Sequence, residues 1–300
     1  MRKCCVIVTI AALNEAQLGN VGSDLIVSLA RAEAHYRSKT FAMEERTRIE
    51  VLGCDGGIGG ALRTCALLVN DNMLIDAGTG LGELPLSTLA GIDHVFLTHA
   101  HFDHIAHLPL LIDAVMARRA SPVTVHATVD TLRILESHIF NWSVWPDFTQ
   151  LPSPERPSMR YSRVEVGHAV DLGNCRVTPV PAEHTIPTVG FHLANGNASL
   201  VYCGDTTVCD PLWQAVNAID NLKYLIIETA FDDAKLQLAE RSGHLCPMLL
   251  AAELEKFQSP AEVYIDHIKP GLEETVMHEI AQQVRNRRPR ALKRGQLLEL

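Results

Sequence analysis

Aromatic residues are scarce in this 300-residue chain, at 5%, and no apolar run approaches the ~18 residues needed to cross a bilayer. No membrane-spanning helix is therefore expected. The eight cysteines (Cys4, Cys5, Cys54, Cys65, Cys175, Cys203, Cys209 and Cys246) form no Cys-x-x-Cys pair and no framework spacing. That speaks against a disulfide scaffold and for reduced, mostly buried thiols in a cytoplasmic protein. Arg2 and Lys3 ahead of Cys4–Leu13 resemble a short leader. Asn14 and Glu15 interrupt it and no small-x-small cleavage site follows, so secretion is not expected. Positive charge is also short. Lys and Arg number 26 against 35 Asp and Glu, a net charge of -9. This argues against a protein that grips a long polyanion, though not against a small phosphorylated substrate held by metal ions. The glycine-rich stretch Gly53–Gly60 lacks both nucleotide-binding glycine fingerprints, G-x-G-x-x-G and G-x-x-x-x-G-K-[ST].

A hydrophobic content of 47% is ample for a core, and the length allows one large domain or two small ones. The chain is organised around Thr98-His99-Ala100-His101-Phe102-Asp103-His104. The preceding residues 93–98 are largely apolar and read as a strand end. His99 and His101 are two apart, so in extended backbone they point the same way. Four ligand-type side chains after a buried-looking strand argue against a chance polar turn. Imidazole with carboxylate favours Zn, Mn or Fe over Ca or Mg.

Residues 1–47 read as an N-terminal extension of uncertain structure, with an amphipathic helix expected over 21–34. Met43 precedes the first clear strand, and the status of residues 1–42 stays open. Residues 48–284 read as the catalytic domain. Strands are expected over 49–52, 65–69, 73–75, 94–98 and 122–126, then over 160–166, 169–172, 175–179, 189–193, 199–202, 224–227 and 262–265. Helices are expected over 81–89, 108–118, 129–140, 212–219, 247–257 and 272–284. Residues 140–157, rich in Trp, Phe and Pro, read as a long ordered loop. Residues 285–300 read as a loose basic tail. Two strand-rich halves alternating with helices imply an α/β sandwich of two facing mixed sheets with helices outside.

Three later strands also end in ligand types: one reaches Glu183-His184, one Gly204-Asp205 and one Asp266-His267. With the first cluster this makes five His and two Asp, enough for two metals sharing a carboxylate. In that order, these residues resemble the metallo-β-lactamase fold of binuclear hydrolases over roughly residues 48–280. The resemblance implies His99, His101 and His184 on one zinc, Asp103, His104 and His267 on the second, and Asp205 bridging. Mn2+ or Fe2+ are alternatives to zinc.

Within that superfamily the chain is most similar to the class II 3′,5′-cyclic-nucleotide phosphodiesterases. The supporting residues are Gly53-Cys54-Asp55-Gly56-Gly57, His99–His104 running into Ile105–Leu111, His138–Trp142, Pro187–Phe191 and Ser242–Pro247. Phe102 stands where that family usually has Leu, and Asp266 where Thr is common. The resemblance implies a hydrolase acting on a small cyclic nucleotide, cAMP first and cGMP second, with no nucleic-acid partner and with a homodimer left open. A bridging Asp suits Asp205, because a carboxylate has two oxygens to share. Departure of the 3′ alkoxide needs a proton. His244, at the start of an expected helix, is the candidate general acid, and Glu183 a candidate to orient or share that proton. Asp103 is counted with them among the catalytic residues. Asp76 is expected to hold the metal-bearing loop, Arg63 to meet phosphate or base, and Trp142 and Trp145 to stack on a purine or pack. An RNA 3′-processing nuclease of the same fold, a thioesterase or lactamase-like hydrolase, and a non-catalytic metal binder are the competing readings.

Overall fold

In the computed structural model, which describes residues 46–300, the central strands of two facing sheets carry buried apolar side chains on both faces. That is the pattern a four-layer protein requires, because each sheet is covered by its partner on one side and by helices on the other. In the first strand, β1 (Arg48–Gly53), Ile49 and Val51 point between the sheets while Leu52 points outward.

The first sheet has the order β16-β1-β2-β3-β4-β5-β8. Its strands are β1, β2 (Ala66–Val69), β3 (Met73–Ile75), β4 (His94–Phe96), β5 (Val123–Ala127), β8 (Met159–Arg163) and β16 (Leu297–Glu299). The second has the order β15-β14-β13-β12-β11-β10-β9. It contains β9 (Val170–Asp171), β10 (Arg176–Pro181), β11 (Val189–Ala194), β12 (Ser199–Tyr202), β13 (Leu222–Glu228), β14 (Glu262–Asp266) and β15 (Arg290–Ala291). A small hairpin, β6 (Pro152–Ser153) with β7 (Arg156–Pro157), sits inside the expected loop.

Helices α1 (Leu86–Leu89), α2 (Phe102–Ile105), α3 (Leu108–Val115) and α4 (Val129–Ile134) lie in the first half. Helices α5 (Asp210–Asn217), α6 (Leu236–Ser242), α7 (Pro247–Glu255) and α8 (Glu273–Gln283) lie in the second. Leu108, Leu111 and Ile112 of α3 seal the outer face of the first sheet, and Trp213, Leu250 and Ile280 of α5, α7 and α8 seal that of the second. Residues Thr47–Leu300 form one compact unit.

Strand direction creates the site. β3, β4 and β5 run parallel, as do β12, β13 and β14, while β2 and β11 are antiparallel to their neighbours. The C-terminal ends of β1, β3, β4, β10, β12, β13 and β14, and the N-terminal end of β2, therefore meet at one rim.

Some expectations differ from the structure. The expected helix 81–89 is a 3-10 turn over Thr79–Glu83 followed by α1, because Pro85 lacks the N–H that a continuous helix needs. The expected helix 129–140 changes to a wider π turn over Leu135–Ile139. Helix α6 was not anticipated. The expected loose tail instead supplies β15 and β16, which extend one sheet each, and Leu298 and Leu300 are buried between the sheets. The expected helix 21–34, the leader-like stretch and Met43 lie outside the described residues.

His126 of β5 gives this core a pH dependence. It is 4% exposed, stacks on Phe96 with ring centroids 4.2 Å apart, and its Nε2 is 3.0 Å from His94 Nδ1. Burial first, and then His94 and Arg160, lower its pKa to about 3. The unfolded chain takes up this proton near pH 6.5 and the folded chain does not, so stability falls as pH drops from about 6.5 toward 3. His126→Phe keeps an aromatic ring against Phe96. It is expected to flatten the acid limb of stability by up to ~1.4 kcal/mol per pH unit, read from urea midpoints between pH 6 and 4.

Candidate metal centre

The rim is built on a buried carboxylate. Asp76, just past β3, is 0% exposed. Its oxygens accept from the Thr98 N–H at 2.8 Å, the Thr98 hydroxyl at 2.9 Å and His104 Nδ1 at 2.7 Å. Asp76 thus ties the end of β4 to α2 and fixes the loop that carries His99, His101 and His104, as expected. Asp76 and His267 both adopt left-handed backbone, with φ of 57° and 56°. Non-glycine residues adopt this conformation at a cost, so it concentrates where surrounding structure holds it. Gly56 packs on the second of them: a Cβ there would meet the His267 carbonyl oxygen at 2.3 Å.

Around this frame the predicted ligands converge. His99 Nε2 and His184 Nε2 lie 3.1 and 3.2 Å from His101 Nδ1. Asp205 Oδ2 lies 3.7 and 3.8 Å from His99 and His184. The other oxygen, Oδ1, is 3.2 Å from both His104 Nε2 and His267 Nδ1. One carboxylate therefore faces two histidine groups, one with each oxygen.

The far ring nitrogens set the tautomers. His99 Nδ1 donates to Thr98 Oγ1 at 2.9 Å and His184 Nδ1 to the Gly243 carbonyl at 2.8 Å. Each leaves a bare Nε2 aimed at the centre. Burial lowers the pKa of His99, His101 and His184, and takes His267 to about 3. Neutral imidazole is the form that binds a metal. On His104 burial works against the charge, but Asp205 and Asp76 outweigh it and raise the pKa. Burial likewise opposes ionisation of Asp205, and the surrounding His267, His104 and His99 overcome it.

Two observations fit divalent metals. His104 Nε2 and Asp205 Oδ1 are buried 3.2 Å apart, and neither makes a well-aligned hydrogen bond. A tetrahedral site with metal–nitrogen distances of ~2.0–2.1 Å has edges of roughly 3.3 Å, close to the nitrogen separations seen. Groups whose ligand atoms lie within 4.8 Å of one another are His99–His101–His184–Asp205, Cys65–His104–His267 and Asp205–His244–His267.

Asp103 reaches this constellation only at its margin, with Oδ2 3.7 Å from His267 Nε2 and 4.0 Å from Lys269 Nζ. His244 is at the centre, its ring stacked 5.2 Å from that of His267. Its partner is Glu228, not the expected Glu183. His244 Nδ1 is 2.6 Å from Glu228 Oε1, and the same fully buried carboxylate accepts from the N–H groups of Thr206, Ala230 and Leu245. Glu183 is exposed and joins the structure through its backbone, to Thr206 Oγ1 and the Thr207 N–H. A strand written Leu225-Ile226-Ile227-Glu228 closes an apolar run with an acid, and that was the available signal. Arg63 is occupied by Glu83 and the Gly60 carbonyl. Trp145 packs against the outer core of the first sheet, while Trp142 is 62% exposed. Phe102 is exposed beside the ligands, and Asp266 is buried.

The profile of the family described as "Beta-lactamase superfamily domain" matches residues 71–268. A probable 3′,5′-cyclic-nucleotide phosphodiesterase from Yersinia pestis is 26% identical over 279 residues, covering 75% of this chain and 79% of that protein. A ribonuclease Z from Mycobacterium bovis is 28% identical over 169 residues, covering 51% of this chain and 59% of that protein. Among solved structures, the metallo-beta-lactamase fold protein YhfI from Bacillus subtilis aligns with a TM-score of 0.67 at 19% identity, covering 85% of this chain and all of that one. Unliganded yeast PDE1 aligns with a TM-score of 0.70 at 18% identity, covering 85% of this chain and 99% of that one.

Removing the Asp76 carboxylate strands the Thr98 N–H and His104 Nδ1 in a dry interior. Asp76→Ala is expected to lower stability by ~3–5 kcal/mol in urea unfolding, with Asp76→Asn milder because it keeps one acceptor.

Proposed function

We propose, from the premise that this chain belongs to the β-lactamase superfamily and has its hydrolase fold, that it is a binuclear-metal phosphodiesterase acting on 3′,5′-cyclic nucleotides. The substrate we assign first is cAMP, then cGMP, with 5′-nucleoside monophosphate as product. The observation that carries the reading is the placement of Asp205, whose two oxygens face two separate histidine groups. The Yersinia pestis relative, described as a probable cyclic-nucleotide phosphodiesterase, supports the substrate class.

His99, His101 and His184 with Asp205 Oδ2 would hold one metal, and His104 and His267 with Asp205 Oδ1 the other, with Asp103 at the margin. Zinc suits the imidazole-rich set, with Mn2+ or Fe2+ as alternatives. Two such ions would supply charge neutralisation on the phosphate oxygens and acidify a water at neutral pH. The chain's own residues then manage orientation and the proton. His244 Nδ1 is engaged by Glu228, which leaves Nε2 to carry a proton toward the centre. As the water oxygen bonds to phosphorus and the P–O3′ bond breaks, His244 gives this proton to O3′, and the proton lost by the water restores it. Glu228 fixes the His244 tautomer and stabilises its charged form. Its three backbone N–H donors hold the carboxylate still.

Among the described residues no helix is long and apolar enough to cross a membrane. The free, buried cysteines there support a cytoplasmic setting. The second reading, an RNA 3′-processing nuclease, draws on the Mycobacterium bovis relative and on a His244–Glu228 pair that would serve any phosphodiester. The net charge of -9 weighs against it.

Protein loaded with two equivalents of zinc is expected to convert cAMP to 5′-AMP, and His101→Ala and Asp205→Asn to abolish turnover. Intact cAMP alongside trimming of a 3′-extended tRNA would establish the nuclease reading instead. His244→Ala is expected to lower kcat by ~10²–10⁴-fold with metal content retained, and Glu228→Gln by less. Equal loss of activity and of bound metal in His244→Ala would make His244 a ligand, not an acid.

A further inference from the structure

We propose that Phe102 is the face on which the nucleobase of the substrate stacks, with Ile58 covering the base from the turn over residues 56–60. This deepens the cyclic-nucleotide reading above and rests on it. It assigns recognition of the base, which the metal ligands and the His244–Glu228 pair do not provide.

Among the described residues, Phe102 and Ile58 are the most exposed large apolar side chains, at 71% and 69%. One exposed apolar residue is ordinary, but apolar surface gathered beside a polar site marks a place of contact. These two stand at one corner of the metal centre. Phe102 lies between His101, whose Nδ1 is 3.1 Å from His99 Nε2, and Asp103, whose Oδ2 is 3.7 Å from His267 Nε2 and 4.0 Å from Lys269 Nζ. Ile58 rides on a turn rooted on the same segment. The Gly56 N–H donates to the Ile268 carbonyl at 3.0 Å. Cβ atoms at Gly56 and Gly57 would meet the His267 carbonyl oxygen at 2.3 Å and Pro270 Cγ at 2.8 Å. Asp103 and the turn thus both address residues 267–270, and each carries a solvent-exposed apolar neighbour.

Neither side chain owes its exposure to a loose backbone. The Ala106 N–H donates to the Phe102 carbonyl at 2.8 Å in α2, and residues on both sides of Phe102 belong to the centre. In the turn, the Leu62 N–H donates to the Gly59 carbonyl and Arg63 Nη1 to the Gly60 carbonyl, both at 3.0 Å, while Glu83 holds Arg63. An apolar ring held in water on a fixed backbone adds nothing to folding, so its use lies with a ligand. Every nucleobase has a π-face, and an aromatic side chain stacked on it contributes roughly 5- to 100-fold in affinity. Stacking reads the presence of a ring and not its hydrogen-bonding edge, which suits a site for both cAMP and cGMP. Trp142 is the other exposed Phe or Trp ring among the described residues. Its loop closes on itself, from the Trp142 N–H to the Trp145 carbonyl and from the Trp145 N–H to the Ile139 carbonyl. Phe102 is the ring that the chain ties to the ligands.

Steady-state kinetics of the zinc-loaded full chain on cAMP and on methyl β-riboside 3′,5′-cyclic phosphate, which has the same diester and no base, test the assignment. The wild type is expected to prefer cAMP in kcat/KM, and Phe102→Ala to shrink that preference at least ~5-fold, chiefly through KM. Phe102→Trp should keep the preference, Phe102→Leu should recover only part of it, and Ile58→Ser should shrink it by less than Phe102→Ala. An unchanged preference in Phe102→Ala, or full recovery in Phe102→Leu, overturns stacking on Phe102, and an unchanged preference in Ile58→Ser overturns the part given to Ile58. Binding separates this from the substrate assignment. The fluorescent nucleotide etheno-AMP is quenched when its ring stacks, and the zinc-loaded wild type is expected to quench it and Phe102→Ala to leave it bright. That result in a chain that leaves cAMP intact keeps Phe102 as the stacking face and refutes only the cyclic-nucleotide substrate. A wild type that hydrolyses cAMP without quenching etheno-AMP refutes the stacking and leaves the substrate standing.

Discussion

A carboxylate buried among imidazoles is the constraint on which this structure turns. Asp205 is nearly fully buried and ends a strand in the middle of the second sheet. Ionised carboxylate removed from water costs several kcal/mol unless charge or hydrogen bonds answer it. Here the answer comes from His99, His104, His184 and His267, which originate in both sheets. The facing sheets must therefore bring their strand ends together for Asp205 to be tolerated, and the fold and the site are the same requirement. Asp76 and Glu228 solve the same problem with local donors, Thr98 and His104 for one and three backbone N–H groups with His244 for the other.

Architecture supplies the precision. The ligands stand on strand ends whose bodies are locked between buried apolar layers: Ile75 and Phe96 beneath one group, Tyr202, Ile226 and Tyr264 beneath the other. Side chains in such layers are close-packed, so the ends they carry move little. The final residues contribute too. β15 and β16 occupy the outer edges of the two sheets next to the strands that lead to His267 and Asp55, and the Leu292 carbonyl accepts from Cys54 Sγ, so the tail helps hold the rim.

Local pattern made part of the site readable in the chain. His99, His101 and His104 lie within one turn of sequence, and a strand that stops in such a cluster announces itself. His184, Asp205 and His267 were readable because each ends an apolar run, and the two-sheet sandwich because such runs alternate with helical periodicity. The tail was misread because short strands gain their stability from the neighbours they pair with, and for β16 that neighbour is more than 200 residues away in sequence. Glu228 was passed over for Glu183 because Glu183 stands next to the candidate ligand His184 in sequence. Contact with His244 depends instead on β13 and the loop after α6 meeting in space.

The amino-acid sequence by itself determined the ligand types, their order and the kind of fold that could gather them, since periodicity and strand-end residues are local properties. Only the tertiary structure decided which ring nitrogen faces the centre, that Asp205 divides its oxygens between two groups, and that Glu228 holds His244. Those outcomes depend on distances of 3 to 4 Å between residues far apart in the chain, and such distances are set by how two sheets pack, not by any spacing along one strand.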